Sequence, residues 1–149
     1  MAPPALRWFA APRAGDIVWC RFPQRGLPGP GPKARPALVL RVGEHAGHTV
    51  VEVCYGISQK TDQLYAGEFT IAPIDDAAFT AAGLSYPTKF NLGETFELDF
   101  NDQWFAVAPG APRSKSLWGA PHGQTPKLGL LHPSLMRRAA AAARAAKKR

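Results

Sequence analysis

Short hydrophobic runs alternate with segments rich in proline and glycine along this chain, a pattern typical of a small β protein. β-Branched and aromatic residues predict seven strands, over Asp16–Phe22, Ala37–Val42, His48–Tyr55, Glu68–Ala72, Thr88–Leu92, Thr95–Phe100 and Gln103–Val107. The pattern is clearest over Thr95–Phe100, where Phe96, Leu98 and Phe100 alternate with Glu97 and Asp99. Many short strands with few helices predict a mainly β fold, built as a strongly bent antiparallel sheet or small barrel.

Two segments predict helices. A short one covers Asp75–Ala82, since Asp75 can accept hydrogen bonds at its first turn and Gly83 suits a left-handed end. A second covers Pro133–Lys148 and contains seven alanines. Alanine favours a helix but offers little apolar surface beyond Leu135 and Met136, so we expect the far end of this helix to fray or project.

Two proline- and glycine-rich segments interrupt the strands. Residues 23–36 hold five prolines and three glycines and predict a long, mobile loop. Residues 108–127 predict a second loop that covers the sheet. The predicted organisation is a flexible lead over 1–14, one domain over 15–132, and a basic, alanine-rich helix or tail over 133–149.

Composition narrows the class of protein. The chain has 149 residues, 46% of them hydrophobic, enough for one compact core. No apolar run approaches the ~18 residues of a membrane-spanning helix, and the start of the chain lacks the apolar core of a signal peptide. Two cysteines are too few for a disulfide framework. We therefore expect a soluble, cytoplasmic protein without a membrane partner.

The charge is uneven along the chain. The net charge is +7, and residues 137–149 alone carry six basic side chains and no acidic one. Such asymmetry indicates a polyanionic partner such as nucleic acid, or a basic tail on a nearly neutral domain.

Signatures of metal and cofactor chemistry are sparse. The sequence has no phosphate-binding loop, no H-E-x-x-H motif and no nucleophile elbow. His45 and His48 lack further ligands at zinc spacing, and Cys20 and Cys54 fall on predicted strands, where free cysteines pack as small hydrophobic residues. An acidic group could hold a cation or form a solvated strand face; it comprises Glu94, Glu97, Asp99 and Asp102. We predict no metal site and no cofactor.

Two segments carry a more specific pattern, and a third, less specific segment follows them in order. They are Gly15-Asp16-Ile17-Val18-Trp19-Cys20-Arg21-Phe22-Pro23, then Lys33-Ala34-Arg35-Pro36-Ala37-Leu38-Val39-Leu40, then Val51-Glu52-Val53-Cys54-Tyr55-Gly56-Ile57-Ser58-Gln59. In this order they resemble the PemK/MazF family, the toxins of type II toxin–antitoxin pairs. That family shows a G-D-[IV]-[VI]-W strand, a flexible loop, R-P-A-[LV]-V-L, and a strand that ends in a Thr/Ser-Gln turn. The resemblance covers roughly residues 14–107.

The resemblance implies both a fold and a function. The fold is an SH3-like antiparallel β-barrel with a C-terminal helix, usually as a homodimer. The implied activity is metal-independent cleavage of single-stranded RNA, which inhibits growth until an antitoxin protein binds the dimer.

The resemblance also places the catalytic residues. The catalytic arginine of the family falls on Arg35, whose permanently charged guanidinium suits the oxyanion that develops during RNA cleavage. The family's catalytic threonine position is Ile57, which has no hydroxyl group, and the adjacent Ser58 is the candidate to replace it. This departure leaves two hypotheses open: an endoribonuclease that uses Arg35 and Ser58, or an inactive barrel that binds RNA or a protein partner.

Basic, polar and aromatic residues around these segments are candidates for RNA contacts. Arg21 and Arg25 flank the first loop, and Trp118 lies in a basic loop where it can stack on a base. The full predicted set is Arg21, Arg25, Lys33, Gln59, Lys60, Lys89 and Trp118.

Overall fold

A computed structural model describes residues 6–23, 29–109 and 125–147. In chain order these residues form the strands β1 (Asp16–Cys20), β2 (Arg35–His45), β3 (His48–Ile57), β4 (Glu68–Ile71), β5 (Thr88–Asn91), β6 (Phe96–Asp99) and β7 (Lys127–Leu130). The helices α1 (Ala77–Ala82) and α2 (Met136–Lys147) each follow a single 3-10 turn, Pro73–Asp75 and Pro133–Leu135 respectively. The predicted mainly β class, with one short internal helix and a C-terminal helix, is confirmed.

All strand pairs are antiparallel, and the sheet curls into a half-barrel. Its order is β4-β5-β3-β2-β1-β7, and β6 also pairs with β3. The long strand β3 changes partner along its length: Val50–Val53 pair with β6, whereas Gly56 and Ile57 pair with β5. Beyond β6, Phe105 forms an isolated bridge to Cys20 of β1, which brings the two sides of the curled sheet together.

The two faces of the sheet bury separate cores because neighbouring residues in a strand point to opposite faces. The first core lies inside the curl; its central members include Val18, Val39, Val53, Phe100 and Phe105. The second core lies under the helices; it includes Ile17, Leu38, Cys54, Phe69, Phe90, Leu135, Ala139 and Ala142. Each central strand contributes to both cores.

The C-terminal helix packs more closely than its composition predicts. Ala139 and Ala142 are buried against the second core, whereas Met136 is 54% exposed. Arg138 donates two hydrogen bonds to the carboxylate of Asp75, at 3.0 and 2.9 Å, and a third at 2.9 Å to the carbonyl oxygen of Thr70. Asp75 does not begin α1 as predicted: it ends the 3-10 turn before α1 and accepts a hydrogen bond from the Ala72 backbone N–H at 2.9 Å. Arg138 thus links α2 both to this turn and, through Thr70, to the sheet.

Three further differences concern segments with weak patterns. Residues Gln103–Val107 form a turn and a single bridge in place of the predicted strand, because the Asn101 side chain accepts from the Gln103 backbone N–H at 3.0 Å. The strand β7 was not predicted, because the sequence indicates a loop or connection at these residues. In the structure β7 pairs with β1. Phe9, from the predicted flexible lead, is buried in the first core.

No helix within residues 6–23, 29–109 and 125–147 is long and apolar enough to cross a membrane.

Candidate functional site

A large open groove, which we call the aromatic groove, lies at one end of β2 and β3. Its volume is about 940 Å³. One wall carries Lys33 and Arg35, and the other carries Glu94 and Thr95 from the turn before β6. Phe22, Tyr55 and Phe96 lie between these walls. A pocket of this size matches the ~300–1,000 Å³ typical of ligand sites.

The aromatic residues of this groove form a cluster that the core supports. Ring centroids are 5.0 Å apart for Phe22 and Tyr55, 5.7 Å for Phe22 and Phe96, and 6.3 Å for Tyr55 and Phe96. Phe22 belongs to the first core, and the half-buried Tyr55 and Phe96 pack against it. The Tyr55 hydroxyl donates a long hydrogen bond of 3.5 Å to Glu94 Oε2. The cluster therefore offers ring surface held by a packed scaffold.

A second, smaller cavity of about 220 Å³ adjoins the groove and holds both predicted catalytic residues. Arg35 and Ser58 line it, with Trp19 and Tyr86 among their neighbours. Arg35 also lines the aromatic groove, so its side chain stands where the two spaces meet. Arg35, Ser58 and Tyr86 are all exposed, which leaves them accessible to a ligand.

The strand register explains why Arg35 and Ser58 come together. Ala37 of β2 pairs with Tyr55 of β3, so Arg35 lies two residues before this pair and the end of β3 lies two residues after it. Pro36 restricts Arg35 to an extended backbone, which holds it at the first position of β2. Residues that are 23 positions apart in sequence thus reach one cavity.

Ile57 and Ser58 take different positions at the end of β3. Ile57 is half-buried and pairs with Lys89 of β5. Ser58 carries a hydroxyl group and lines the small cavity, whereas Ile57 is not among the described residues of the lining. At the end of β3, Ser58 rather than Ile57 is therefore the residue that a ligand in this cavity would meet.

The other predicted RNA contacts are dispersed. Lys33 lines the aromatic groove, whereas Gln59 and Lys60 are exposed on the turn just beyond the small cavity. The Arg21 side chain donates at 3.3 Å to the carbonyl oxygen of Asp102, away from both spaces. Arg25 and Trp118 lie outside the described residues.

Lys89 has a structural environment that sequence reasoning missed. Its side chain is only 4% exposed, and its ammonium group lies 3.0 Å from Glu68 Oε1. It also donates to the Gln63 carbonyl oxygen at 2.8 Å and lies over the Tyr65 ring, 5.5 Å from its centroid. This ammonium group is already neutralised and enclosed, so the structure gives it no surface for an RNA phosphate.

The described histidines and the two cysteines lie in separate places. Within the described ranges, no group of three or more His, Cys, Asp or Glu residues is placed to hold a metal ion. His45 and His48 are exposed on the β2–β3 hairpin, and the Trp8 ring stacks on His48 at 4.0 Å. Burial raises the pKa of the Cys20 thiol far above its usual range and that of Cys54 to about 12, so both thiols stay protonated.

Among the residues of the two spaces, Tyr55, Phe96 and Tyr86 carry no sequence signal of a binding site, and Glu94 is singled out only as a member of the acidic group. Tyr55 and Phe96 are predicted strand residues, and Glu94 and Tyr86 lie in connections. Their common location follows from the partner change of β3, which a single strand's alternation does not encode.

A scan against models of known protein families finds no match to this chain, and a search of characterised proteins finds none either.

Proposed function

We propose that this protein is a metal-independent endoribonuclease that acts as the toxin of a type II toxin–antitoxin pair. The observation that carries the proposal is that Arg35 and Ser58 line one accessible cavity, at the junction with a groove that also holds Lys33. Two cationic groups and a hydroxyl beside an aromatic surface suit a single RNA strand, whose phosphates need positive charge and whose bases stack on rings.

In the proposed reaction the RNA supplies its own nucleophile. The ribose 2′-oxygen attacks the adjacent phosphorus and the bond to the 5′-oxygen breaks, leaving a 2′,3′-cyclic phosphate and a 5′-hydroxyl. Overall, the proton of the 2′-hydroxyl moves to the departing 5′-oxygen. The Arg35 guanidinium would stabilise the negative charge on the non-bridging oxygens in the transition state, and Ser58 would donate to the scissile phosphate.

The decisive experiment is an RNA-cleavage assay in EDTA with a long unstructured RNA. The protein is first freed of any bound partner. We expect discrete fragments from the wild type and none from Arg35→Ala. Removing a single oxyanion donor typically costs about 10²–10³ in rate.

A matched control is available on the same strand. Arg41 belongs to β2, and its side chain is 85% exposed beside Glu52, away from both spaces. Arg41→Ala removes the same charge and should cut like the wild type. Equal loss in both variants would indicate a general charge effect and refute the assigned role of Arg35.

The alternative function is an inactive barrel that binds RNA or a protein partner, and Ile57 is the observation that favours it. In that case the wild type does not cut, Arg35→Ala only weakens binding, and Ile57→Thr is the variant in which cleavage would first appear.

We propose a homodimer and a cognate antitoxin as partners on the strength of the resemblance alone. We also propose that the basic tail over 137–149 adds RNA affinity, which should fall as the salt concentration rises.

A further inference from the structure

The aromatic groove has an uneven charge along its width, and this restricts what can lie in each part of it. β3 lies between β2 and β6 in the sheet, so Tyr55 separates Arg35 on one side from Glu94 on the other. A phosphate is attracted to the Arg35 side, where Lys33 adds a second positive charge. It is repelled by the carboxylate of Glu94.

The Glu94 side of the groove instead suits a base. The Tyr55 hydroxyl oxygen already lies 3.5 Å from Glu94 Oε2, so a flat ring lying on Tyr55 brings its edge to this carboxylate. An ionised carboxylate only accepts hydrogen bonds. It therefore favours a base edge that presents amino groups and disfavours one that presents carbonyl oxygens.

We propose that Glu94 is a specificity-determining residue that selects an amino-bearing base, cytosine over uracil, on the Phe22–Tyr55–Phe96 cluster. The two pyrimidines have the same ring size and differ at position 4, where cytosine carries an amino donor and uracil a carbonyl acceptor. Glutamate and aspartate accept from this amino group in known base contacts. The inference rests on the proposed function, because it concerns the RNA that the same groove would hold.

The test compares two oligonucleotides that bind without being cut. Octacytidylate and octauridylate with 2′-fluoro sugars lack the attacking hydroxyl, and fluorescence anisotropy at fixed salt gives their dissociation constants. We expect the wild type to bind the cytosine oligonucleotide about tenfold more tightly, within the range of a good side-chain–base contact. Glu94→Gln keeps the shape but can also donate to a carbonyl, so the ratio should fall to about two or less.

Glu97→Gln is the matched control because Glu97 is an exposed neighbour on β6 outside the groove lining and loses the same charge. It should retain the tenfold ratio, whereas Arg35→Ala should weaken both oligonucleotides equally by removing a phosphate contact. Three results overturn the inference while leaving RNA binding intact. In the first, the wild type binds the two oligonucleotides equally; in the second, the cytosine preference survives in Glu94→Gln; in the third, the preference disappears in Glu97→Gln. Failure of the wild type to bind either oligonucleotide overturns the proposed function as well.

Discussion

The buried ion pair between Lys89 and Glu68 is expected to be one of the most sensitive points of the fold. The two side chains are 4% and 9% exposed, and their charged atoms are 3.0 Å apart. Lys89→Met keeps most of the apolar volume but leaves the Glu68 carboxylate buried without its cation, although the Tyr65 backbone N–H still donates to it at 2.8 Å. It also removes the donor to the Gln63 carbonyl oxygen.

The magnitude follows from these contacts. Breaking a buried pair on one side costs about 3–5 kcal/mol, because the remaining charge is uncompensated. With a urea dependence of about 1.5 kcal/mol per molar, a loss of 3 kcal/mol lowers the unfolding midpoint by about 2 M. That is a large share of the ~5–15 kcal/mol of total stability that small domains have.

Urea unfolding followed by circular dichroism measures this loss, and a double-mutant cycle separates its cause. Lys89→Met combined with Glu68→Leu replaces the pair with apolar side chains and should recover most of the stability, since such replacements are often neutral. The reasoning is refuted if Lys89→Met costs less than about 1 kcal/mol, or if the two single losses simply add in the double variant.

Two further predictions concern the ion pair of Asp75 and the two buried cysteines. The hydrogen bonds from Arg138 are the main cause that holds the pKa of Asp75 below its usual range. The ionised carboxylate therefore stabilises the fold at a pH above about 3.9, the pKa of an aspartate in the unfolded chain. This contribution disappears as the pH falls through the lower pKa of Asp75 in the folded protein. Asp75→Asn should therefore be less stable than the wild type at pH 7, by about 1 kcal/mol because Arg138 is partly exposed, with the gap closing towards pH 3 in thermal unfolding scans. Cys20 and Cys54 should resist alkylation by iodoacetamide at pH 8 until urea unfolds the protein, as followed by mass spectrometry; rapid labelling of the native protein would contradict their burial.

The parts of the fold that the sequence predicts are those with local signals. The alternation of Phe96, Leu98 and Phe100 with acidic residues marks β6, and Gly83 does end α1 in the left-handed conformation, with φ 70°. β7 was missed because Lys127–Leu130 is short, has no buried residue and follows a proline- and glycine-rich segment. Its pairing with β1 depends on a partner more than 100 positions away.

The candidate site shows the same division between local and distant information. The resemblance placed the family's catalytic positions on Arg35 and Ile57, with the adjacent Ser58 as the candidate replacement. The structure brings Arg35 and Ser58 to one cavity. The burial of Lys89 depends on Glu68, 21 residues earlier, and a lone lysine in a strand carries no trace of such a partner. Glu94 belongs to an acidic group that the sequence singles out for a cation, and it becomes a candidate for the proposed base contact only through its approach to Tyr55, 39 residues away.

The partner change of β3 has a consequence for how this site can vary. It occurs at Gly56, where an added Cβ atom would come within 2.6 Å of the Thr88 methyl group and 2.8 Å of the Phe90 ring. Gly56 also lines the cavity of Arg35 and Ser58. Because position 56 has no side chain, the Thr88 and Phe90 side chains of β5 pack directly against the β3 backbone beside the cavity. A larger residue at position 56 would therefore change the shape of this cavity without replacing any of its polar side chains.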